Sequence, residues 1–190
     1  MARAKTRDSQ TGTRSRAATS RRNRVAGSRQ DAIALLKADH RQVKEWFAEF
    51  EKARSSQRKL ELAGNICKAL KVHTTIEEEI FYPAFLEATG DKDTHHEAQI
   101  EHAGAKAVVA DIEASAPDDD YYDSRVKVLS EMIKHHVNEE EQPGGMFAEA
   151  RKSGMDLRAL GEELQERKRQ LMSEAPVPRS RREARPSVAG

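Results

Sequence analysis

Four stretches of the chain repeat apolar residues at spacings of three and four, and each stripe contains one histidine. Such spacings put residues on one face of an α-helix, the face a water-soluble protein buries. In DAIALLKADHRQVKEWFAEFEKA the stripe is Ile33, Leu36, His40, Val43, Phe47 and Phe50. The second runs Leu62, Ile66, Ala69, His73, Ile76 and Ile80, and the third Ala98, His102, Ala105, Val109 and Ile112. The fourth is Tyr122, Val126, Leu129, Ile133, His136 and Glu140. Four amphipathic helices, each burying an imidazole, leave few ways to fold.

Short connections around Ser55-Ser56, Thr89-Gly90 and Ala116-Pro117-Asp118 favour antiparallel neighbours. The expected fold is therefore all-α: an up-down-up-down antiparallel four-helix bundle over residues 30–150. His40 and His102 stand early in their helices, whereas His73 and His136 stand late in theirs. In an alternating bundle these positions share one level, so the four histidines are expected to meet. A further segment, MDLRALGEELQERKRQLM, puts Leu157, Leu160, Leu164 and Leu171 on one face. It reads as an additional C-terminal amphipathic helix over 151–172, which either covers the bundle or pairs with another chain.

A single histidine on an apolar face is usually a hydrogen-bonded core residue. Four at one level are different, because burying imidazoles and carboxylates without partners costs several kcal/mol. His73 with Glu77 and His136 with Glu140 repeat an H-x-x-x-E spacing that puts imidazole and carboxylate on one helix face, one turn apart. A bound cation resolves the burial of all six groups. Four imidazoles and two carboxylates are too many for a closed tetrahedral zinc site, and no thiolate accompanies them. Mixed nitrogen and oxygen donors with carboxylates able to bridge suit a pair of iron ions, with manganese the chief competitor.

His40, then HTTIEEEIFYP with His73 and Glu77, then IEHAGAK with His102, then HHVNEEE with His136 and Glu140 resembles the hemerythrin-like (HHE cation-binding) domains over roughly residues 30–150. The resemblance implies a non-haem di-iron centre, bridged by two carboxylates and an oxo or hydroxo group, with an open position for dioxygen or another small ligand. In that scheme His40, His73, His102 and His136 are terminal ligands, and Glu77 and Glu140 are bridges. One departure is that Lys106 stands where oxygen-carrying relatives have a further histidine, which argues against a reversible oxygen carrier. Water, His95 or Glu101 is left to supply the missing donor.

Other residues read differently. His135, Glu78, Glu79, Glu139 and Glu141 lie off the ligand faces and are expected to be solvated or supporting groups. His96 lies off the stripe, and Trp46, Phe47, Phe81 and Tyr82 are expected to pack. Pro83 reads as a helix stop, and Pro143-Gly144-Gly145 as a flexible turn beside the site.

The net charge of +1 conceals an asymmetry. Residues 1–29 hold nine Lys or Arg and one Asp, and residues 173–190 hold four Arg and two Glu, which leaves the intervening stretch at −9. Both ends are expected to be disordered tails. The first is a solubilising segment, a weak nucleic-acid contact through phosphate neutralisation, or, less in keeping with its composition, a transit peptide. The single cysteine, Cys67, fits a reducing, cytoplasmic setting, and no apolar run is long enough for a membrane span. Monomer and dimer both remain open. The favoured function is binding or sensing of oxygen, nitric oxide or iron in a redox or stress response. The alternatives are a di-iron redox enzyme of peroxide-decomposing or ferroxidase type, and a polyanion-associated stress protein.

Overall fold

The chain's structure, a computed structural model, describes residues 30–174. The expected tail at 1–29 and the residues from 175 onward lie outside it, whereas Ser173 and Glu174, assigned above to the second tail, close the last helix. Helices α1 (Ala32–Lys52), α2 (Ser56–Ile76), α4 (Lys92–Ala114) and α5 (Tyr122–Glu141) form the antiparallel bundle. A π turn (Glu77–Phe81) continues α2 into α3 (Tyr82–Thr89), and α6 (Met146–Lys152) and α7 (Leu157–Glu174) follow α5. No strand occurs among the described residues.

Local chemistry sets the helix starts. Asp31 accepts from the Ala34 amide at 2.7 Å, Ser55 from the Arg58 amide at 3.2 Å, and Asp91 from the Thr94 amide at 3.1 Å. Each satisfies a donor that the first helical turn leaves free. Pro83 does not stop the helix as expected. The Tyr82 amide bonds to the Glu77 carbonyl, so the chain restarts an α-helix with proline in its first turn, where a missing N–H is harmless.

The apolar interior is split in two. Val43, Phe47, Phe50, Leu62, Ile66, Leu70, Val109, Ile112, Val126 and Leu129 form one cluster, which also buries Cys67. Burial pushes the Cys67 thiol up to about 12, consistent with an inert core residue. Ile33, Leu36, Ile76, Phe81, Phe85, Met146, Phe147 and Leu164 belong to the other. On α1, α2 and α4 the histidine stands where the apolar stripe passes from one cluster to the other, and on α5 His136 closes the stripe of the first. The polar layer thus divides the core.

Helix α7 lies on the bundle, against α1, α2 and the π turn. Leu164 is fully buried, and Leu157, Leu160 and Leu171 pack on the second cluster. Gly161 permits the approach, because a Cβ there would meet the Gln30 carbonyl oxygen at 2.5 Å and the Ala32 nitrogen at 2.8 Å. Gly161→Ala is expected to lower stability by about 1–3 kcal/mol through overpacking. Gly64→Ala, in α2 with open space around the added methyl, should raise it by about 0.5–1 kcal/mol. Thermal midpoints of the two variants check the signs; a stabilising Gly161→Ala would mean that α7 is not docked there.

Candidate metal centre

The bundle helices bring His40, His73, Glu77, His102, His136 and Glu140 into one buried layer. The Nε2 atoms of His40 and His73 are 3.0 Å apart, and those of His102 and His136 are 3.1 Å apart. Glu77 Oε2 lies 3.1 Å from His73 Nε2 and 3.5 Å from His102 Nε2. Glu140 reaches His40 Nε2 at 3.4 Å through Oε2 and His136 Nε2 at 3.7 Å through Oε1. Each carboxylate therefore touches one histidine of each pair. Two sets of ligand atoms, His40–His73–Glu77 and Glu77–His102–His136, each gather within 4.8 Å, with Glu77 common to both.

The donor set fits a pair of cations. Both Glu77 oxygens and Glu140 Oε2 are buried without a hydrogen-bond partner. Their close nitrogens lack hydrogen-bond alignment, so three buried carboxylate oxygens have no partner, a costly arrangement unless a cation neutralises them. Burial, followed by the charges of Glu140, Asp39 and Glu78, pushes the Glu77 carboxyl well above its ordinary range. Burial likewise raises Glu140. It drives His40 well down and His102 to about 2, so both imidazoles stay neutral, the form that binds metal. His136 differs. Burial pushes it down, but Glu140 and Glu101 outweigh that and raise it.

Three of the four histidines are also held from behind. His40 Nδ1 lies 2.8 Å from Glu141, His102 Nδ1 3.0 Å from Glu78, and His136 Nδ1 2.7 Å from Glu101. His73 Nδ1 faces Asp39 at 3.6 Å, in ion-pair range but beyond a hydrogen bond. Such outer carboxylates fix the tautomer and aim the opposite nitrogen inward. Glu78 and Glu141 are thus supporting groups, and Lys106 is bound to Glu78 at 2.6 and 2.5 Å. Glu79 pairs outside the layer with Arg167 of α7.

Tyr82 was expected only to pack, yet its hydroxyl enters the layer. It lies 3.1 Å from His102 Nε2, 3.4 Å from His136 Nε2 and 3.2 Å from Glu140 Oε1, and the residue is fully buried. In a regular α-helix Tyr82 would stand about 140° around from Glu77. The π turn closes five residues into one hydrogen-bonded turn and brings both to the same face. Neither His95 nor Glu101 takes the place left by Lys106: His95 is buried against the Tyr82 ring, 6.2 Å between centroids, and Glu101 stands behind His136. His96 is exposed beside His95.

Two residues had no role in the sequence reading: Asp39 and Phe147. Asp39 precedes a seam histidine but serves His73 on the neighbouring helix, a pairing fixed by packing alone. Phe147, from α6, stacks on the His40 ring at 5.8 Å and 7°, and closes that side of the layer with Phe81. The expected turn does separate α5 from α6, with Gly144 at φ 84°. A Cβ on Gly145 would meet the Glu139 carbonyl oxygen at 2.1 Å.

Four helices that bury a layer of histidines and glutamates define a cation-binding bundle of the histidine–carboxylate class. Residues 31–143 match the family described as Hemerythrin HHE cation binding domain, and the chain belongs to that family. A protein of Nostoc sp. strain PCC 7120 named DNA nickase is 31% identical over 107 residues, which are 56% of this chain and 30% of that protein. The chain thus spans about a third of that relative's length. The crystal structure of a hemerythrin HHE cation binding domain-containing protein from Mycobacterium kansasii covers 76% of this chain and 88% of its own, with a TM-score of 0.63. At 22% identity that likeness concerns the fold. No helix among the described residues is long and apolar enough to cross a membrane.

Proposed function

We propose that the chain holds two iron ions in the histidine–glutamate layer and uses them to bind or sense dioxygen, nitric oxide or iron. The observation that carries this reading is the shared position of Glu77, which stands in both groups of ligand atoms. His40 and His73 would hold one ion, His102 and His136 the other, with Glu77 and Glu140 common to both. Tyr82, within 3.1–3.4 Å of His102, His136 and Glu140, supplies an oxygen where Lys106 replaces a donor. A bound iron pair supplies one-electron chemistry and a coordination position for a small ligand.

A catalytic variant of this reading has one specific support. Burial, then the charges of Glu77 and Glu140, hold the Tyr82 pKa well above the ordinary range, so the hydroxyl stays protonated beside the layer. It is then a fixed hydrogen-bond donor, 3.2 Å from Glu140 Oε1, of the kind that orients an oxygen substrate in a peroxide-decomposing enzyme. A polyanion-associated role would reside in residues 1–29, outside the described residues.

Metal analysis should find about two iron ions per chain, with absorption in air that changes on reduction. Tyr82→Phe is expected to keep both ions but alter that spectrum and any peroxide turnover. Less than one iron per chain in the wild type, under conditions that fully load it, would sink the di-iron reading. Nitric oxide or oxygen binding without peroxide turnover would favour sensing over catalysis.

A further inference from the structure

Helix α7 lies beyond residues 31–143, the stretch that matches the family, yet one of its side chains reaches the carboxylate facing a ligand histidine. Behind His40, Glu141 is held by Lys37 at 3.0 Å, and behind His102, Glu78 is held by Lys106. Both lysines belong to bundle helices. Asp39, which faces His73, is held instead by Lys168 of α7. The surroundings of His73 are thus completed from outside the bundle.

This corner also differs in kind. Around His40, His102 and His136 the carboxylate stands within hydrogen-bond reach of the imidazole. Asp39 Oδ2 is 3.6 Å from His73 Nδ1, and that nitrogen is buried without a hydrogen-bond partner. With no direct bond to fix the two, the orienting influence is the Coulomb field of the carboxylate, which depends on where the carboxylate is held. The Asp39 side chain is only 16% exposed, so solvent screens that field weakly.

The seating of α7 delivers the cation. Leu164 is fully buried, and Gly161 admits the backbone of Gln30 and Ala32 at close range. Leu164 and Lys168 stand four residues apart on one helix face, so the register that buries the leucine also aims the lysine at α1. The adjacent Arg167 forks onto Glu79 at 2.6 and 3.0 Å, an exposed pair whose carboxylate backs no histidine.

We propose that Lys168 is a positioning residue of the metal centre: through Asp39 it orients His73, whose Nε2 then faces His40 and Glu77. The inference rests on the reading of the buried layer as a metal centre. It gives α7 a role beyond covering the bundle. Docking of the helix and metal affinity at the His40–His73 site become coupled, so each strengthens the other.

The test compares Lys168→Met, which keeps the stem and removes the ammonium, with Arg167→Gln, which removes the neighbouring ion pair of the same helix. Iron affinity is read by competition with a chelator. Asp39→Asn should weaken binding at least about tenfold and Lys168→Met about 3–10-fold. Arg167→Gln should match the wild type. Adding Lys168→Met to Asp39→Asn should cause no further loss, because the lysine acts through the aspartate. In the metal-free protein the ¹⁵N resonances of the His73 ring should move in Lys168→Met and stay in place in Arg167→Gln. Equal affinity losses in those two variants would mean that α7 only covers the bundle. Additive losses in the double variant, or wild-type affinity in Lys168→Met, would also overturn the role. Failure of the inner reading has a separate signature: Glu77→Gln and wild type would then hold the same iron. The His73 resonances of the metal-free protein would still report whether Lys168 acts on that ring.

Discussion

Glu77→Gln is expected to lose the second iron ion and the absorption that depends on the pair. The substitution keeps side-chain volume, so packing of the layer survives. What changes is charge and donor character: a neutral amide presents at most one acceptor where the carboxylate faces His73 at 3.1 Å and His102 at 3.5 Å. Because Glu77 belongs to both groups of ligand atoms, its loss should affect both ions. Iron should fall from about two per chain to one or fewer. Glu78→Gln tests a different role. It weakens the support of His102 Nδ1 and the tie to Lys106, so affinity should drop about 10–100-fold while both ions still bind at saturating iron. Glu79→Gln, which removes only an exposed pair with Arg167, should leave iron content unchanged. Equal iron loss in all three variants would contradict the placement of Glu77 in the layer.

The metal-free protein is expected to be most stable on the acid side of neutrality, and loading should move that optimum upward. Glu77 and Glu140 have folded-state pKa values raised above the ordinary 4.5. Their contribution is complete below that value and is lost as pH rises through the folded values. His136, raised above 6.5, acts in the same direction, and its contribution fades as pH climbs past its folded value. His40 and His102 oppose them. Both are depressed below 6.5, so acidification protonates the unfolded chain first and stability falls as pH drops below 6.5. The window between 4.5 and 6.5 is where neither loss is complete. A bound cation replaces the protons on the carboxylates, which removes the high-pH loss and makes acid the condition that releases metal. Free metal at a thousand times its Kd adds about 4 kcal/mol, roughly 10 °C in Tm for a chain of this size. Thermal midpoints against pH, with and without iron, check both parts. Metal-free protein that gains stability steadily from pH 6.5 to 8 would contradict the buried carboxylates' assigned direction.

The bundle was legible because apolar periodicity is a local signal, and each stripe continued through its histidine without a break in phase. The convergence of the six expected ligands followed from alternation of helix direction and needed no side-chain geometry. Tyr82 escaped because regular helical phase put it on another face; only a backbone with a π turn between Glu77 and Phe81 returns it to the layer. HTTIEEEIFYP carries no obvious mark of that extra residue. Asp39 escaped for a different reason. A side chain that supports a histidine on a neighbouring helix is defined by interhelical packing, which sequence spacing does not encode. Pro83 misled as a stop because its meaning depends on whether the preceding turn is α or π.

The division of the core by the polar layer bears on how the protein comes apart. A chain with one continuous apolar interior tends to unfold as a unit. Here α1, α2 and α4 each thread two greasy compartments, joined through a polar band that holds only protons when no metal is bound. The half containing α6 and α7 is then expected to exchange its amide hydrogens faster than the half around Phe50 and Leu129, a sub-global fluctuation rather than unfolding. A cation pair gripping all four bundle helices would tie the compartments together. Cooperativity in this fold would then be set by how much metal its surroundings provide, and a metal-starved cell would display the protein as two loosely coupled halves.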